Sequence, residues 1–118
     1  MDTGKAMTWL ERAAASNNHD GMLYLSALLA ATPVAELRDP PRALSLLDKV
    51  SKDLGGDPVE FEIRAAAQAA SGDFRKATRS EHEALAKARQ LQWDPTPLND
   101  RLAHYQAGEP WYGNLLTL

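Results

Sequence analysis

Residues Asp57 to Leu91 read D-P-V-E-F-E-I-R-A-A-A-Q-A-A-S-G-D-F-R-K-A-T-R-S-E-H-E-A-L-A-K-A-R-Q-L, with one break at Ser71-Gly72-Asp73. The opening Asp57-Pro58-Val59-Glu60 has the form of a capping box. Asp57 is the cap, proline fills the first turn where no backbone donor is needed, and Glu60 reaches back. Val59, Phe61, Ile63, Ala65, Ala66 and Ala69 are the expected buried positions. Gly72 stops this helix and Asp73 caps the next. That second helix, Phe74 to about Gln92, places Phe74, Ala77, Ala84, Leu85, Ala88 and Leu91 on one side. The stretch is therefore a helical hairpin, and a hairpin cannot bury its apolar faces alone.

Similar patterns lie before and after it. A first helix is predicted over Thr3 to Asn17, with Ala6, Trp9, Leu10, Ala13 and Ala14 on one face. A second runs from about Asp20 to Ala31. It has almost no polar face, so it belongs at the centre of the first half. Thr32-Pro33 ends it, because a residue before proline avoids helical geometry. Val34 to Arg38 is a linker or a short turn. Asp39-Pro40-Pro41 opens a third helix by the same cap-then-proline logic, and Gly55-Gly56 closes it. After the hairpin, Trp93-Asp94-Pro95-Thr96-Pro97 forms a rigid turn. A last helix then carries Leu98, Leu102 and Tyr105 as far as about Ala107, and Gly108 stops it. Alanine is common and period-two alternation is rare, so the fold is expected to be all-α with about six helices.

The patterns repeat. Asp39-Pro40-Pro41-Arg42-Ala43 lies over Asp73-Phe74-Arg75-Lys76-Ala77 at an offset of 34 residues. Ala6, Trp9-Leu10 and Ala13 fall over Ala43, Leu46-Leu47 and Val50 at 37, and Ala70-Ser71-Gly72-Asp73 over Gln106-Ala107-Gly108-Glu109 at 36. Such periods mark a solenoid of stacked hairpins. On these residues the chain resembles the tetratricopeptide repeats, most clearly at Ala65, Gly72, Phe74, Ala77, Ala84 and Leu85. Its first half resembles their relatives, the Sel-one-like repeats, at Ala6, Trp9 to Ala14, Leu25-Ser26 and Leu29. The resemblance covers residues 1–110, leaving 111–118 as a C-terminal tail. It implies a short α-solenoid of antiparallel helical hairpins. Arg64, Gln68 and Glu81 depart from the family pattern, and we read them as a partly open face. The first helix resembles the second half of a hairpin. Either it packs alone as a cap, or the chain is the C-terminal piece of a longer array, which we favour.

Composition and spacing narrow the function. The net charge is −3 over 118 residues, which leaves no Lys/Arg excess to neutralise phosphates, so no nucleic-acid partner is expected. No apolar run reaches the ~18 residues of a membrane span, so no membrane insertion is expected. The chain has no cysteine. Nothing like a signal peptide follows Met1. A soluble cytoplasmic chain fits these facts, and so does a fragment of a periplasmic one. His19 sits in a turn, Glu81-His82-Glu83 point in three directions on a helix, and His104 is isolated, so no metal or other cofactor is expected. Most carboxylates serve as caps. No nucleophile turn or phosphate loop occurs, and the chain is not expected to be an enzyme.

The expected function is a non-catalytic protein–protein interaction module. Stacked hairpins leave a concave groove lined by the first helix of each pair, where a peptide segment or partner helix can lie. By the resemblance, its lining includes Ala27, Glu62, Ala66 and Ala69, joined by Leu98, Leu102 and Tyr105. Close helix packing accounts for Ala66 and Ala69 equally well. Trp111 and Tyr112 either cap the stack or form a docking or self-association patch. The alternative is an assembly or regulatory domain of a larger protein, such as an enzyme with its catalytic part upstream.

Overall fold

A computed structural model describes residues 8, 11, 12, 15, 19–54 and 57–115, residues 53 and 54 by their backbone alone. Five helices follow one another among them: α1 (His19–Ala31), α2 (Pro40–Leu54), α3 (Pro58–Ala70), α4 (Phe74–Gln90) and α5 (Thr96–Gln106). A single 3-10 turn, Ala35–Leu37, links α1 to α2. No strand occurs among the described residues, and the fold is all-α. Of the predicted first helix, Thr8, Glu11, Arg12 and Ala15 are described and helical. Its apolar positions, and the Gly55-Gly56 stop, lie outside the described residues. Glu11 accepts two hydrogen bonds from the Arg42 guanidinium, at 2.5 and 2.6 Å, which ties that helical stretch to α2.

The helix ends follow the sequence logic with local changes. Asp73 accepts from the Lys76 N–H at 3.1 Å, and Asp39 from the Arg42 N–H at 3.3 Å. Asp57 caps α3 through the Val59 N–H at 2.9 Å. The other half of the predicted capping box does not form. Glu60 lies 3.5 Å from Arg64, which also meets Asp48 at 3.2 Å, so an ion-pair network takes the carboxylate. Gly72, at φ +85°, ends α3 in the left-handed conformation, and the Asp73 N–H returns to the Gln68 carbonyl at 2.9 Å. This is the six-to-one closure typical of helix C-termini. It recurs at Gly108 (φ +72°), where the Glu109 N–H reaches the His104 carbonyl. Between them, Gln92 makes the same turn at φ +60°, with the Trp93 N–H on the Ala88 carbonyl. The last turn predicted for that helix is therefore its cap, and Leu91 points outward at 53 % exposure instead of joining the buried stripe.

Helices adjacent in sequence pack together: α1 on α2, α2 on α3, α3 on α4 and α4 on α5. In addition α1 packs on α3. Met22, Leu25, Leu29, Leu47, Val50 and Ile63 fill the core that α1, α2 and α3 share. Burying each such side chain contributes about 1.5–3 kcal/mol. Ala84, Leu85 and Ala88 meet Leu98 and Leu102 between α4 and α5. Ala65, Ala69 and Ala77 form a third cluster with Tyr105, where small side chains let α3 and α4 approach closely. Arg64 and Gln68 are half-buried, and Gln68 accepts a hydrogen bond from the Ser80 hydroxyl at 2.7 Å. Glu81 is not at an open face: it is completely buried.

Candidate interaction face

The residues assigned to a groove by resemblance are all inside the protein. Ala27 and Ala66 belong to the α1–α2–α3 core. Ala69 and Tyr105 belong to the small-residue cluster, and Leu98 and Leu102 pack against α4. Glu62 is 5 % exposed and ion-paired. None of the seven lines an open surface. Two physical causes account for this. Helix packing closes over Leu98 and Leu102 within the last hairpin and over Ala27 and Ala66 in the core, and Trp111 packs against the cluster that holds Ala69 and Tyr105.

That segment leaves α5 at Gly108 and runs back to α1 without helix or strand. Trp111 packs against both the α1–α2–α3 core and the cluster around Tyr105. The Arg101 guanidinium lies over its ring, 4.5 Å from the centroid. Tyr112 is stacked under Arg38 at 3.4 Å. Arg38 is itself held at the end of α1, its Nε donating to the Thr32 carbonyl at 3.0 Å. The Gly113 N–H donates to the Ala31 carbonyl at 2.8 Å. Leu115 then joins the core at 9 % exposure. The docking-or-capping pair of the sequence analysis is thus docked against the protein's own body. Gly113 is required by geometry: a Cβ there would stand 2.6 Å from the Trp111 ring.

Beneath Trp111 lies a cluster that the sequence motifs do not single out. Arg101 on α5 pairs with Glu62 on α3, and both side chains are more than nine-tenths buried. Glu81 on α4 has no exposed surface, and Tyr105, one turn after Arg101, has 1 %. Two carboxyl groups thus lie in one buried site, and of the two it is Glu62 that pairs with the guanidinium. Two buried like charges cannot both ionise without large cost. Burial, and then the hydrogen bond and charge of Glu62, push the Glu81 carboxyl up to about 11, against the opposing charge of Arg101. Glu81 is therefore a neutral acid at ordinary pH. The two carboxyls can share a hydrogen bond only through its proton. Burial also raises the Tyr105 phenol, reinforced by Glu81 and Glu62.

Further hydrogen-bonding capacity in the cluster is unused. Apart from a bond through the Glu81 proton, the Glu62 Oε1, both Glu81 oxygens, the Arg101 Nε and the Tyr105 hydroxyl have no hydrogen-bond partner among the described protein groups. The sequence does carry one signal for this cluster. Glu81 stands on the α4 face between Ala77 and Leu85, one turn from each, where an apolar residue is expected. Arg101 stands four residues before Tyr105 on α5, so both belong to one stripe. Among the described residues no group of three His, Cys, Asp or Glu is arranged to hold a metal ion, and no helix is long and apolar enough to cross a membrane. Compared with models of protein families, with curated proteins and with solved structures, the chain finds no match.

Proposed function

We propose that this protein is a protein–protein interaction module built as a short α-solenoid of tetratricopeptide-like and Sel-one-like hairpins. In this reading α1 with α2, and α3 with α4, are successive hairpins, and α5 begins a third. The pairing of α1 with α3 and of each helix with its neighbour supports it. So do the caps and glycine turns that recur at the repeat offsets. The observation that carries the function is the seat of residues 109–115. One irregular segment is held there by two guanidinium–aromatic contacts and a backbone hydrogen bond to α1. A surface that holds such a segment offers a partner peptide the same kinds of contact, and the rigid helices beneath it do not have to reorganise.

A displayed library of random peptides, selected on the purified chain, tests this. Selected peptides should perturb the backbone resonances of α1, α3 and α5 above those of the outer faces of α2 and α4. Peptides that map only to those outer faces, or a selection that enriches nothing, would remove the reading.

A further inference from the structure

We propose that residues 109–115 are a built-in competitor for the face they cover, and that the outside partner is an irregular or extended segment bearing two adjacent aromatic residues. This rests on the interaction reading above and states what regulates that face. Each contact of the segment is of a kind a separate peptide can make. Arg101 and Arg38 present flat guanidinium faces to two successive rings. Guanidinium–aromatic stacking selects planar side chains and is indifferent to most others. The Ala31 carbonyl takes a backbone N–H, which any residue but proline supplies. The position after the second ring must be small, because the first ring folds back over it. An aliphatic residue two positions further on fits the slot of Leu115.

The segment is also placed to leave. It is joined to α5 through Gly108, which is left-handed and stands in open space, so that a Cβ there would meet nothing within 4 Å. Tyr112 is 36 % exposed and Trp111 only partly buried. Its seat is imperfect, since the Arg101 Nε and the Tyr105 hydroxyl have no hydrogen-bond partner among the described residues, and Arg101 lies over the Trp111 ring. A partner that supplies an acceptor to those donors binds better than the resident segment. Tethering sets the threshold: a segment on a short linker has an effective concentration of about a millimolar. A free peptide with the same chemistry therefore wins only near that concentration, and a true partner must bind considerably tighter.

The test uses the full chain and a fluorescent synthetic peptide of residues 107–115. Gly113→Val sets a Cβ against the Trp111 ring of the same segment, so the segment cannot keep its seat unchanged, while Arg38, Arg101 and Ala31 are unaltered. That variant should bind the peptide at least tenfold more tightly than the wild type. Adding Arg38→Ala to it should weaken binding severalfold. Equal affinity for wild type and Gly113→Val, with the helical circular dichroism intact, overturns the proposal. A second measurement needs no variant. Peptide at several millimolar should speed hydrogen exchange at the wild-type Gly113 amide about tenfold while the amides of α3 hold their rates. An unchanged Gly113 rate under peptide that is demonstrably bound overturns it too. Library peptides that occupy α1, α3 and α5 while Gly113 stays protected leave the interaction reading standing and remove the competitor. Displacement by the 107–115 peptide, with no foreign peptide ever selected, removes the interaction reading and the outside partner with it, and leaves a segment that exchanges only with its own copy.

Discussion

Glu81 is a carboxyl group that the fold keeps only by keeping its proton. Its ordinary value is 4.5 and its value in the fold is about 11. Between these the folded chain holds a proton that the unfolded chain releases. This group therefore lowers stability as pH rises through that window, with a limiting slope of about 1.4 kcal/mol per unit, and costs nothing further below it. Glu62, Arg101 and Tyr105 are the charged and titratable groups around it. Glu81→Gln keeps the shape and a donor for Glu62 while removing the proton dependence. We expect the variant to be more stable than the wild type at pH 8, and the gap to narrow at pH 5, in paired urea titrations. Removal of Arg101 acts differently. Arg101→Met strands Glu62 beside another carboxyl and should cost about 3–5 kcal/mol, the range for breaking a buried pair from one side. Glu62→Gln should cost less, because Glu81 can then ionise and take the guanidinium. A denaturant series in which Glu62→Gln is the more damaging of the two would contradict this account.

At the scale of elements, the helices were legible because their ends are written in short local chemistry. Asp39, Asp57 and Asp73 cap, Gly72 and Gly108 turn, and prolines stand where donors are dispensable. Each of these acts within six residues, so one sequence suffices to read it. The end of α4 shows the limit of that legibility. Gln92 continues the periodic pattern, yet it takes the left-handed turn that the two glycines take elsewhere. A side chain in that conformation costs about 1 kcal/mol or more, so Gln92→Gly should raise stability by about 0.5–1 kcal/mol in a thermal or chemical melt. The groove was not legible for a different reason. Whether Ala66 or Leu98 faces a neighbour or the solvent depends on how helices far apart in sequence cross. The segment that packs over the Tyr105 cluster has no period from which to predict its path. Glu81 was legible as an anomaly but not as a buried acid, because Arg101, which balances Glu62, lies 39 residues from it on another helix.

For the whole molecule, the helices and the C-terminal segment are two layers of different stability. The helices bury aliphatic side chains in three clusters and close their own backbone bonds. The segment has no helical ladder of its own, and its described contacts include a backbone bond to α1, two ring contacts and Leu115. Local opening is easiest where such contacts are few. Native-state hydrogen exchange should therefore release the Gly113 amide well before those of α1 and α3, at a rate insensitive to mild denaturant. Comparable protection at Gly113 and Ile63 would mean that the segment and the helices open as one unit. The same layering bears on how the chain is made. Helix-to-neighbour pairing is local and closes quickly, whereas the bond from Gly113 to Ala31 spans 82 positions (113 − 31) and is slow to find. During synthesis, at about 5–20 residues per second, α1 and Arg38 are made several seconds before Trp111. Arg101 is made only ten positions before it, so the seat is completed almost together with the segment that fills it. Under the proposal above, a separate segment meets the α1 part of the seat without a competitor only while the chain is still being made.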